Sequence, residues 1–514
     1  MPLIDMQRRI KHVVHLMFEN RGFDTLLGWL YDEQNPPRGH VPPLLPGERA
    51  FDGVPHDANG QPTVWMPDHP SFFEPVPYTH GKRFIHKGNW GQCFMPVADP
   101  GEPWDDVKQQ IYGPNSDTTL PPEKLMRGFW LNYQKDRFPP IGSKDDILAT
   151  STPGDLRVIN KLAASFAVSD TWFSSAPTET NPNRAFSLAG TSLGRKVNIN
   201  FDGVPYKGLR TIFGVLNDAG HSWKLYADHY WKPIDELYFT QYMFPEGMDG
   251  GSFGSIDRFR HDVNHGTLPV FSYIEPAFFA EFGTVLGNDY HPPGSLYNGE
   301  STLKRVYDIL KAVPEVFNET LLIITFDEHG GTYDHVLPPP AIPPDDLSKD
   351  FNRYGLRVPT LLISPWVPPG CVFRPRRTAS PRVFDHTSVL ATLMRWLDIP
   401  YTRGGDAGWL GRRTAAAATF EDAIVPAYNS IWPTVAPYSC SDFEGDTVGV
   451  TSIPKEVISP LVERITAFPP DSPEHQAIVQ EIHATAQTEE DLTAHFVRLK
   501  ELYGHNPKGG GTES

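Results

Sequence analysis

Short runs of continuous apolar residues, separated by helical or loop-rich segments, constrain the fold of this chain more than any other feature. An apolar run without alternating polar residues is typical of a strand covered on both faces, as in parallel sheets. The segment STLKRVYDILKAV (301–313) carries apolar residues at helical spacing. This alternation of strands and helices predicts an α/β fold with a central, mostly parallel sheet. The apolar runs are HVVHLMF (12–18), FAVSD (166–170), SWKLYA (222–227), PVFSYI (269–274), LLIITF (321–326) and PTLLISP (359–365).

Two of these predicted strands end on polar side chains that are unfavourable to bury. The run LLIITF is followed directly by Asp327 and Glu328, and HVVHLMF is followed by Glu19 and Asn20. A strand that only fills a core does not need carboxylates at its end, because an unpaired buried charge destabilises a protein. In open parallel sheets, ligands bind beyond the carboxyl ends of the strands. We therefore expect these four side chains to form a site.

A third predicted strand leads to a hydroxyl group. After FAVSD comes APTETNPNRAFSLAGTSLG, in which Thr180 stands two residues before Pro182 and Arg184 stands two residues after it. A helix is predicted to begin there, and the start of a helix attracts anions. A threonine needs a base or a metal to become a nucleophile, and the alternative is that Thr180 only caps the helix. Arg184 is either a clamp for a phosphate group or part of a structural ion pair.

Charge and composition exclude several classes of function. The chain of 514 residues has a formal net charge of −17 and no dense basic stretch, whereas nucleic-acid binding needs Lys and Arg against phosphates. No apolar run approaches the ~18 residues that a transmembrane helix requires. The three cysteines, Cys93, Cys371 and Cys440, are widely spaced and odd in number. This pattern disfavours both a disulfide framework and a thiolate metal site.

The C-terminal part of the chain differs in character from the rest. The segment SPEHQAIVQEIHATAQ begins with Ser472 as a helix N-cap and Pro473 at the first helical position. A second stretch, TEEDLTAHFVRLKELY, also has apolar residues at helical spacing. We predict a main domain over residues 1–440, a small helical extension over 441–505 and a flexible tail over 506–514.

The N-terminal segment MPLIDMQRRIKHVVHLMFEN lacks the apolar core and the cleavage site of a signal peptide. We therefore expect a cytoplasmic protein from the sequence as given, and a secreted protein if an export signal had been removed.

Four motifs in order resemble one known family. HVVHLMFENRGFDTLLGWL, TNPNRAFSLAGTS, SYIEPAFF followed by NDYHPPGSLYNGE, and ITFDEHGGTYDHVLPP are similar to the phosphoesterase family of non-specific phospholipases C and acid phosphatases. That family belongs to the alkaline phosphatase superfamily. The resemblance spans about residues 10–400, so it implies that the main domain is catalytic. It also implies an alkaline-phosphatase-like three-layer sandwich, to which the small C-terminal helical unit is added.

The resemblance also implies a metal site. One divalent ion would be bound by Glu19 and Asn20, by Asp327 and Glu328, and by the hydroxyl of Thr180. Carboxylate, amide and hydroxyl oxygens suit a hard divalent cation, and contact with a metal lowers the pKa of a hydroxyl group. Calcium, magnesium, manganese and zinc all tolerate such ligands, so the identity of the ion stays open.

The active-site histidines that the resemblance implies are His291 in NDYHPP and His229 in YADHYW. A third histidine of the family lies in a DPxH-like motif, for which MPDHP offers His69, with His80 as a competing candidate. We expect Asn183 and Arg184 of TNPNR to bind the phosphoryl group of the substrate.

The TNPNR layout indicates the reaction type. Sulfatases carry Cys or Ser where this chain has Thr180, and they convert that residue to an aldehyde that threonine cannot form. We therefore expect a metal-dependent hydrolase of phosphoric esters, of phospholipase C or acid phosphatase type, that forms a phosphothreonine intermediate. The substrate would be a phosphate ester such as a phospholipid headgroup. The alternatives are a two-metal phosphodiesterase or phosphomonoesterase that also uses Asp385 and His386, and a non-catalytic homologue that binds phospholipid or phosphate.

Overall fold

The computed structural model describes most of the chain. The described residues are 2–56, 62–65, 75–77, 79–80, 96, 98–113, 115–116, 118–133, 143–198, 206, 208–228, 240, 243–244, 252–278, 287–292, 294–403, 406–407, 410–437, 472–485, 495 and 498.

The strands alternate with helices along the main part of the chain. The strands are β1 (His12–Phe18), β2 (Gly39–Val41), β3 (Thr63–Trp65), β4 (Pro75–Pro77), β5 (Thr79–His80), β6 (Ala149–Thr150), β7 (Ala167–Ser169), β8 (Trp223–Ala227), β9 (Phe253–Ser255), β10 (Phe271–Glu275), β11 (Thr320–Phe326), β12 (Thr360–Ile363), β13 (Cys371–Phe373), β14 (Thr402–Arg403) and β15 (Asp406–Ala407).

The helices vary from single turns to four turns in length. The α-helices are α1 (Pro2–Arg9), α2 (Phe23–Leu27), α3 (Trp104–Tyr112), α4 (Phe129–Asn132), α5 (Arg157–Ser165), α6 (Thr180–Ala189), α7 (Ile212–Asp218), α8 (Ile256–Asn264), α9 (Leu296–Lys311), α10 (Pro314–Phe317), α11 (Thr387–Trp396), α12 (Gly411–Ala416) and α13 (Pro473–Thr485), and the 3₁₀ turns are Pro122–Lys124, Lys144–Leu148 and Glu421–Ala423.

A nine-stranded sheet organises the protein, in the order β2-β13-β7-β12-β11-β1-β10-β8-β9. The central strands β1 and β11 are parallel and pair along their whole length, from His12 opposite Thr320 to Phe18 opposite Phe326. All seven residues of β11 are buried, so both faces of the sheet are covered. The predicted mixed α/β fold with a large, mostly parallel sheet is therefore confirmed, and each predicted apolar run overlaps one of these strands.

Strand β12 is the exception to the parallel arrangement, because it runs antiparallel to both neighbours, β11 and β7. Residues 327–359, which connect β11 to β12, are all described and contain no helix. Parallel neighbours need a crossover connection, usually a helix, whereas a loop can return the chain antiparallel. The connection can therefore follow the surface of the site at the end of β11.

The helices pack around the sheet in two groups. One group consists of α2, α5, α8, α9 and α10, and the other consists of α1, α6, α7, α11 and α12. Both groups contribute apolar side chains to one large core cluster, which includes the buried strands. A sheet covered on both faces by helices is the arrangement expected when the strands are continuously apolar.

In the C-terminal part, the structure describes α13, which begins at Pro473 as predicted, and Ser472 Oγ accepts a hydrogen bond from the His475 N–H at 3.2 Å. The rest of the predicted helical extension, apart from residues 495 and 498, lies outside the described residues, as does the predicted tail. Among the described residues, no helix combines the length and the apolar composition needed to span a bilayer.

Glu300 on α9 caps a helix that has no capping side chain of its own. Two backbone N–H groups in the first turn of α5, from Val158 and Ile159, donate to the two Glu300 carboxylate oxygens at 2.6 and 3.0 Å. The Tyr290 hydroxyl also donates to Glu300, at 2.8 Å. Burial raises the pKa of Glu300 to about 7. This side chain therefore joins α5 and α9 to the loop that contains Tyr290.

We predict that Glu300→Ala lowers the free energy of unfolding by about 3 kcal/mol, because it leaves buried donors without an acceptor. Glu300→Gln keeps an acceptor at the same place and should lose about 1 kcal/mol or less. Urea denaturation followed by circular dichroism measures both values. An Ala variant as stable as the wild type would show that Glu300 does not cap α5.

Candidate functional site

The ends of β1 and β11 lie side by side, because Phe18 pairs with Phe326 and the next residues of each strand follow in register. The backbone N–H of Asn20 donates to Asp327 Oδ1 at 3.1 Å, and the N–H of Arg21 donates to the Glu328 carbonyl at 3.0 Å. The four polar residues predicted at these two strand ends are thus brought together, and all of them are buried.

The backbone at this edge adopts unusual conformations. Asn20 has a φ of 57°, in the left-handed region that asparagine tolerates better than most residues. Gly330 and Gly331 have φ values of 60° and 63°. A Cβ at Gly330 would lie 2.1 Å from the Asn20 carbonyl oxygen, so only glycine allows the two loops to approach this closely.

Thr180 is the first residue of α6, and it lies against the two strand ends. Its Oγ1 donates to the side-chain oxygen Oδ1 of Asn20 at 3.2 Å. The side chain is 6% exposed. The helix has no side-chain cap at residue 179, and Thr180 is directed at Asn20 rather than at the helix backbone. The sequence prediction that three distant segments meet here is therefore matched by their contacts.

Arg184, one turn further along α6, is fully buried between the two strand ends. Its guanidinium lies 3.2 Å from Asp327 Oδ2 and 3.2 Å from Glu19 Oε1. The remaining N–H groups donate to Tyr273 Oη and to the carbonyls of Met17 and Phe18, each at 3.3 Å. These contacts favour the structural ion pair over the phosphate clamp.

Asn183 also makes structural contacts. Its Oδ1 accepts from the Ala176 N–H at 2.9 Å, and its Nδ2 donates to the carbonyls of Ala176, Thr178 and Glu179. The side chain is fully buried. It therefore folds the loop that leads into Thr180, and these contacts favour that role over binding of the phosphoryl group.

The loop of His291 is attached to the end of β1. The Glu19 N–H donates to the Asp289 carbonyl at 2.9 Å, and Arg21 Nε donates to the Tyr290 carbonyl at 2.6 Å. Tyr290 has a φ of 73°, which is strained for a bulky residue, and such strain concentrates at functional sites. His291 Nδ1 lies 2.5 Å from the Pro292 carbonyl. Burial lowers the pKa of His291 to about 4.

Asp385 and His386, the residues of the two-metal alternative, make other contacts. The Asp385 carboxylate accepts hydrogen bonds from Ser175 Oγ at 2.8 Å and Thr387 Oγ1 at 2.6 Å. His386 Nε2 lies 2.5 Å from the backbone carbonyl of Asp327. His386 therefore supports the backbone of the site, and Asp385 organises the start of α11.

A second cluster of ionisable groups joins the segments that follow β1 and β11. Asp24, Asp334 and His335 form the one group of three described carboxylate or imidazole side chains whose ligand atoms all lie within 4.8 Å of one another. Arg357 is buried in the same cluster, 2.9 Å from Asp24 and 3.0 Å from Asp334. Burial lowers the pKa of His335, but the carboxylates of Asp24 and Asp52 together outweigh this effect and raise the pKa to about 9.

Because Arg357 and His335 are positively charged at neutral pH, they neutralise the negative charges of Asp24 and Asp334 within the cluster. A protonated imidazole cannot bind a metal, since its lone pair is occupied. The cluster instead connects α2, which follows β1 and contains Asp24, to the loop after β11. Asp334 and His335 thus hold the segments after the two strands together.

The oxygens at the strand ends suit a divalent cation chemically. Burial raises the pKa of Asp327 and of Glu328, although Arg184 opposes the shift at Asp327. Glu328 is fully buried, and its Oε1 has no hydrogen-bond partner among the described residues. His329 lies 3.1 Å from Glu328, but burial lowers the pKa of this imidazole to about 3 and leaves it neutral. A bound cation would compensate these carboxylates.

One residue of the site was missed by the sequence analysis. The side-chain Nδ2 of Asn20 donates to Glu102 Oε2. Glu102 is the fourth residue of DPGE (99–102), which has the form of the DPxH motif with glutamate in place of histidine. Because the family motif ends in histidine, the sequence favours MPDHP, which contains His69, over DPGE. His69 and His229 lie outside the described residues and remain predictions.

We predict that Gly330→Ala lowers the hydrolase activity expected from the sequence by about 10²-fold or more, because the added Cβ displaces Asn20 from Thr180. Gly266→Ala is the matched control. Gly266 has a similar φ of 65°, but a Cβ there would meet open space, with nothing within 4 Å. The control should lose only the ~1–2 kcal/mol of a left-handed alanine and keep full activity. Equal activity of the two variants in a steady-state assay would contradict this assignment.

Comparison with known proteins gives the family. The model of the Phosphoesterase family matches residues 10–400. Non-specific phospholipase C4 of Arabidopsis thaliana is 31% identical over 436 residues, which cover 81% of this chain and 72% of that protein. Non-hemolytic phospholipase C of Burkholderia pseudomallei is 27% identical, covering 74% of this chain and 54% of that protein. A solved structure of a protein in the alkaline phosphatase superfamily from Vibrio parahaemolyticus is 14% identical, with a TM-score of 0.28, covering 52% of this chain and 65% of that one.

The family match begins before β1 and extends beyond β13, so it contains all nine strands of the large sheet and every strand end described above. This chain therefore belongs to the Phosphoesterase family, a family of phosphoric ester hydrolases.

Proposed function

We propose that this protein is a hydrolase of the phospholipase C type, which uses Thr180 as its nucleophile and one divalent cation as its cofactor. The observation that carries the proposal is the contact of Thr180 Oγ1 with Asn20 Oδ1, which joins the start of α6 to the ends of β1 and β11. The names of the curated relatives, non-specific and non-hemolytic phospholipases C, support a phosphodiester substrate.

In the proposed reaction, Thr180 Oγ1 attacks phosphorus while the bond from phosphorus to the leaving alcohol breaks. For a phosphodiester substrate, the product of this step is a phosphothreonine that still carries the second ester group, and water then releases the phosphate monoester and restores the hydroxyl. Thr180 stands at the first turn of α6, where the positive end of the helix dipole favours a phosphoryl group. Splitting hydrolysis into two displacements is the general advantage of a covalent nucleophile.

The residues that would hold the cation are Glu19, Asn20, Asp327 and Glu328, together with the hydroxyl of Thr180. A divalent cation there would lower the pKa of the hydroxyl and offset the charge of the phosphoryl group. Arg184 fixes Glu19 and Asp327 from the protein side by ion pairs. The carboxylates are thereby held in place before substrate binds, which is the arrangement that favours electrostatic catalysis.

His291 is the proposed proton donor to the leaving alcohol. Its loop is tied to Glu19 and Arg21 by backbone hydrogen bonds. Because burial lowers the pKa of His291 to about 4, the protonated fraction of the imidazole rises as the pH falls toward that value. Protonation by His291 therefore favours activity under acidic conditions.

A substrate panel tests the proposed function. We expect the protein to hydrolyse p-nitrophenylphosphorylcholine and phosphatidylcholine, releasing phosphocholine and diacylglycerol from the lipid, and to lose this activity in EDTA. Thr180→Ala should reduce turnover by ~10³-fold or more, because it removes the nucleophile, and Thr180→Ser should keep part of it. Mass spectrometry of the wild type, acid-quenched during hydrolysis of p-nitrophenylphosphorylcholine, should locate a phosphocholine group on Thr180.

Other results would contradict parts of this proposal. Hydrolysis of p-nitrophenyl phosphate alone would identify a phosphomonoesterase of the acid phosphatase type. Robust activity in Thr180→Ala would exclude the covalent mechanism. Binding of phosphatidylcholine vesicles without any hydrolysis would identify a non-catalytic homologue, whereas restoration of activity by two metal ions per chain would support the two-metal alternative.

The role of His291 is tested with leaving groups of different basicity. An alkyl alcohol needs a proton to leave, whereas p-nitrophenolate does not. We predict that His291→Ala slows alkyl esters by about 10²–10⁴-fold and p-nitrophenyl esters far less. In the wild type, kcat for the alkyl ester should rise as the pH falls from 7 toward 4. Equal losses for both kinds of ester would make His291 a ligand of the phosphoryl oxygens instead.

A further inference from the structure

Glu102 reaches the site from a part of the chain far from the strand ends. Its Oε2 accepts a hydrogen bond from Asn20 Nδ2, and its carboxyl group lies beside that of Glu328. Two carboxylates at contact distance repel each other unless a proton or a cation lies between them. Glu102 therefore faces the same space as the residues proposed to hold the cation.

The position of Glu102 is fixed by the packing of its loop against the turn after β11. A Cβ at Gly331 would lie 2.5 Å from the Gly101 carbonyl oxygen, so the two backbones are in close contact. Gln110 on α3 donates to the same carbonyl at 2.5 Å, and its Oε1 lies 2.8 Å from His329 Nε2. The loop that carries Glu102 and the turn that carries Glu328 are thus held as one unit.

A second observation points to a ligand at this place. Glu328 is fully buried, yet its Oε1 has no hydrogen-bond partner among the described residues, while its Oε2 accepts from the Gly330 N–H at 2.8 Å. A buried carboxylate oxygen without a donor is unfavourable, because it has lost its hydration without compensation. The free oxygen belongs to the carboxyl group that Glu102 contacts.

We propose that Glu102 is an additional carboxylate ligand of the cation, shared with Glu328, and that it makes this an all-oxygen site for a hard ion. The inference rests on the cation proposed above for the same site. Glu19, Glu102, Asp327 and Glu328 would then be the four carboxylates at the site. Arg184 forms ion pairs with two of them, Glu19 and Asp327. Carboxylate ligands favour Ca²⁺, Mg²⁺ and Mn²⁺, whereas an imidazole at this position would favour Zn²⁺.

Glu102 has a second effect through Asn20. An asparagine amide can be turned either way, and the hydrogen bond from Nδ2 to Glu102 leaves Oδ1 facing Thr180. Glutamine at position 102 could still accept this hydrogen bond but would carry no charge. Glu102→Gln therefore separates a residue that only orients Asn20 from one that binds the cation.

Calorimetric titration of the EDTA-stripped full chain with Ca²⁺, Mn²⁺ and Zn²⁺ tests the proposal without any assay of activity. We expect Glu102→Gln to weaken the binding of Ca²⁺ and Mn²⁺ by about 10–100-fold. Glu102→His should shift the ratio of Zn²⁺ to Ca²⁺ affinity by about tenfold or more in favour of zinc. Asp105→Asn, which removes one exposed charge from the first turn of α3, is the matched control and should bind like the wild type.

The possible results separate this inference from the proposed function. If wild type binds no divalent ion, both the cation and the role of Glu102 are overturned. If wild type binds one and Glu102→Gln binds it within about threefold, Glu102 only orients Asn20 and this inference alone fails. Thermal unfolding of each metal-free variant shows whether it is folded. If Glu102→Gln is unfolded, Glu102→Asp, which keeps the charge, must bind the cation for the inference to hold.

Discussion

The ion pairs of Arg184 with Glu19 and Asp327 are the interaction on which the rest of the site depends. One fully buried guanidinium joins the ends of β1 and β11 to α6, the helix that begins at Thr180. Its remaining donors are satisfied by Tyr273 and by backbone carbonyls, so it is fixed on every side. Removing a buried partner of this kind leaves unpaired charges and is strongly destabilising. The proposed nucleophile, Thr180, and the carboxylates are therefore positioned by the same contacts that hold the three segments together.

Two buried clusters of charged residues include side chains that follow β1 and β11, and the two clusters neutralise their carboxylates in different ways. In the cluster of Asp24, Asp334, His335 and Arg357, the cationic groups are already part of the protein. At the strand ends, the Arg184 guanidinium faces Glu19 and Asp327, while Glu328 and Glu102 contact each other. A protein stabilises buried carboxylates by pairing them, by protonation or by binding a metal. The first cluster uses pairing and acts as a clamp, and the second has the composition of a site that takes up a cation.

Much of the fold and part of the site follow from the sequence because they depend on local patterns. Continuous apolar runs located the strands, and the polar residues directly after them lie together as predicted, since parallel strands end at one edge. The antiparallel direction of β12 could not be predicted, because it depends on the absence of a helix between residues 327 and 359. The contacts of Arg184 and Asn183 depend on which groups surround α6 after folding. Glu102 was missed because it lies far from any strand end and stands where the DPxH motif has histidine, so only the DPG residues before it indicate the position.

Strained backbone conformations occur at, or directly next to, residues of the proposed active site. Asn20 and Tyr290 both have positive φ values, and each is held there by its surroundings. Asn20 is fixed by its backbone hydrogen bond to Asp327, by Thr180 and by the close approach of Gly330. The Tyr290 hydroxyl donates to Glu300, the residue that caps α5. Strain of this kind persists only where the rest of the structure compensates for it. The rigid contacts of the core therefore hold both the proposed cation ligands and the loop of His291 in conformations that an isolated segment would not adopt.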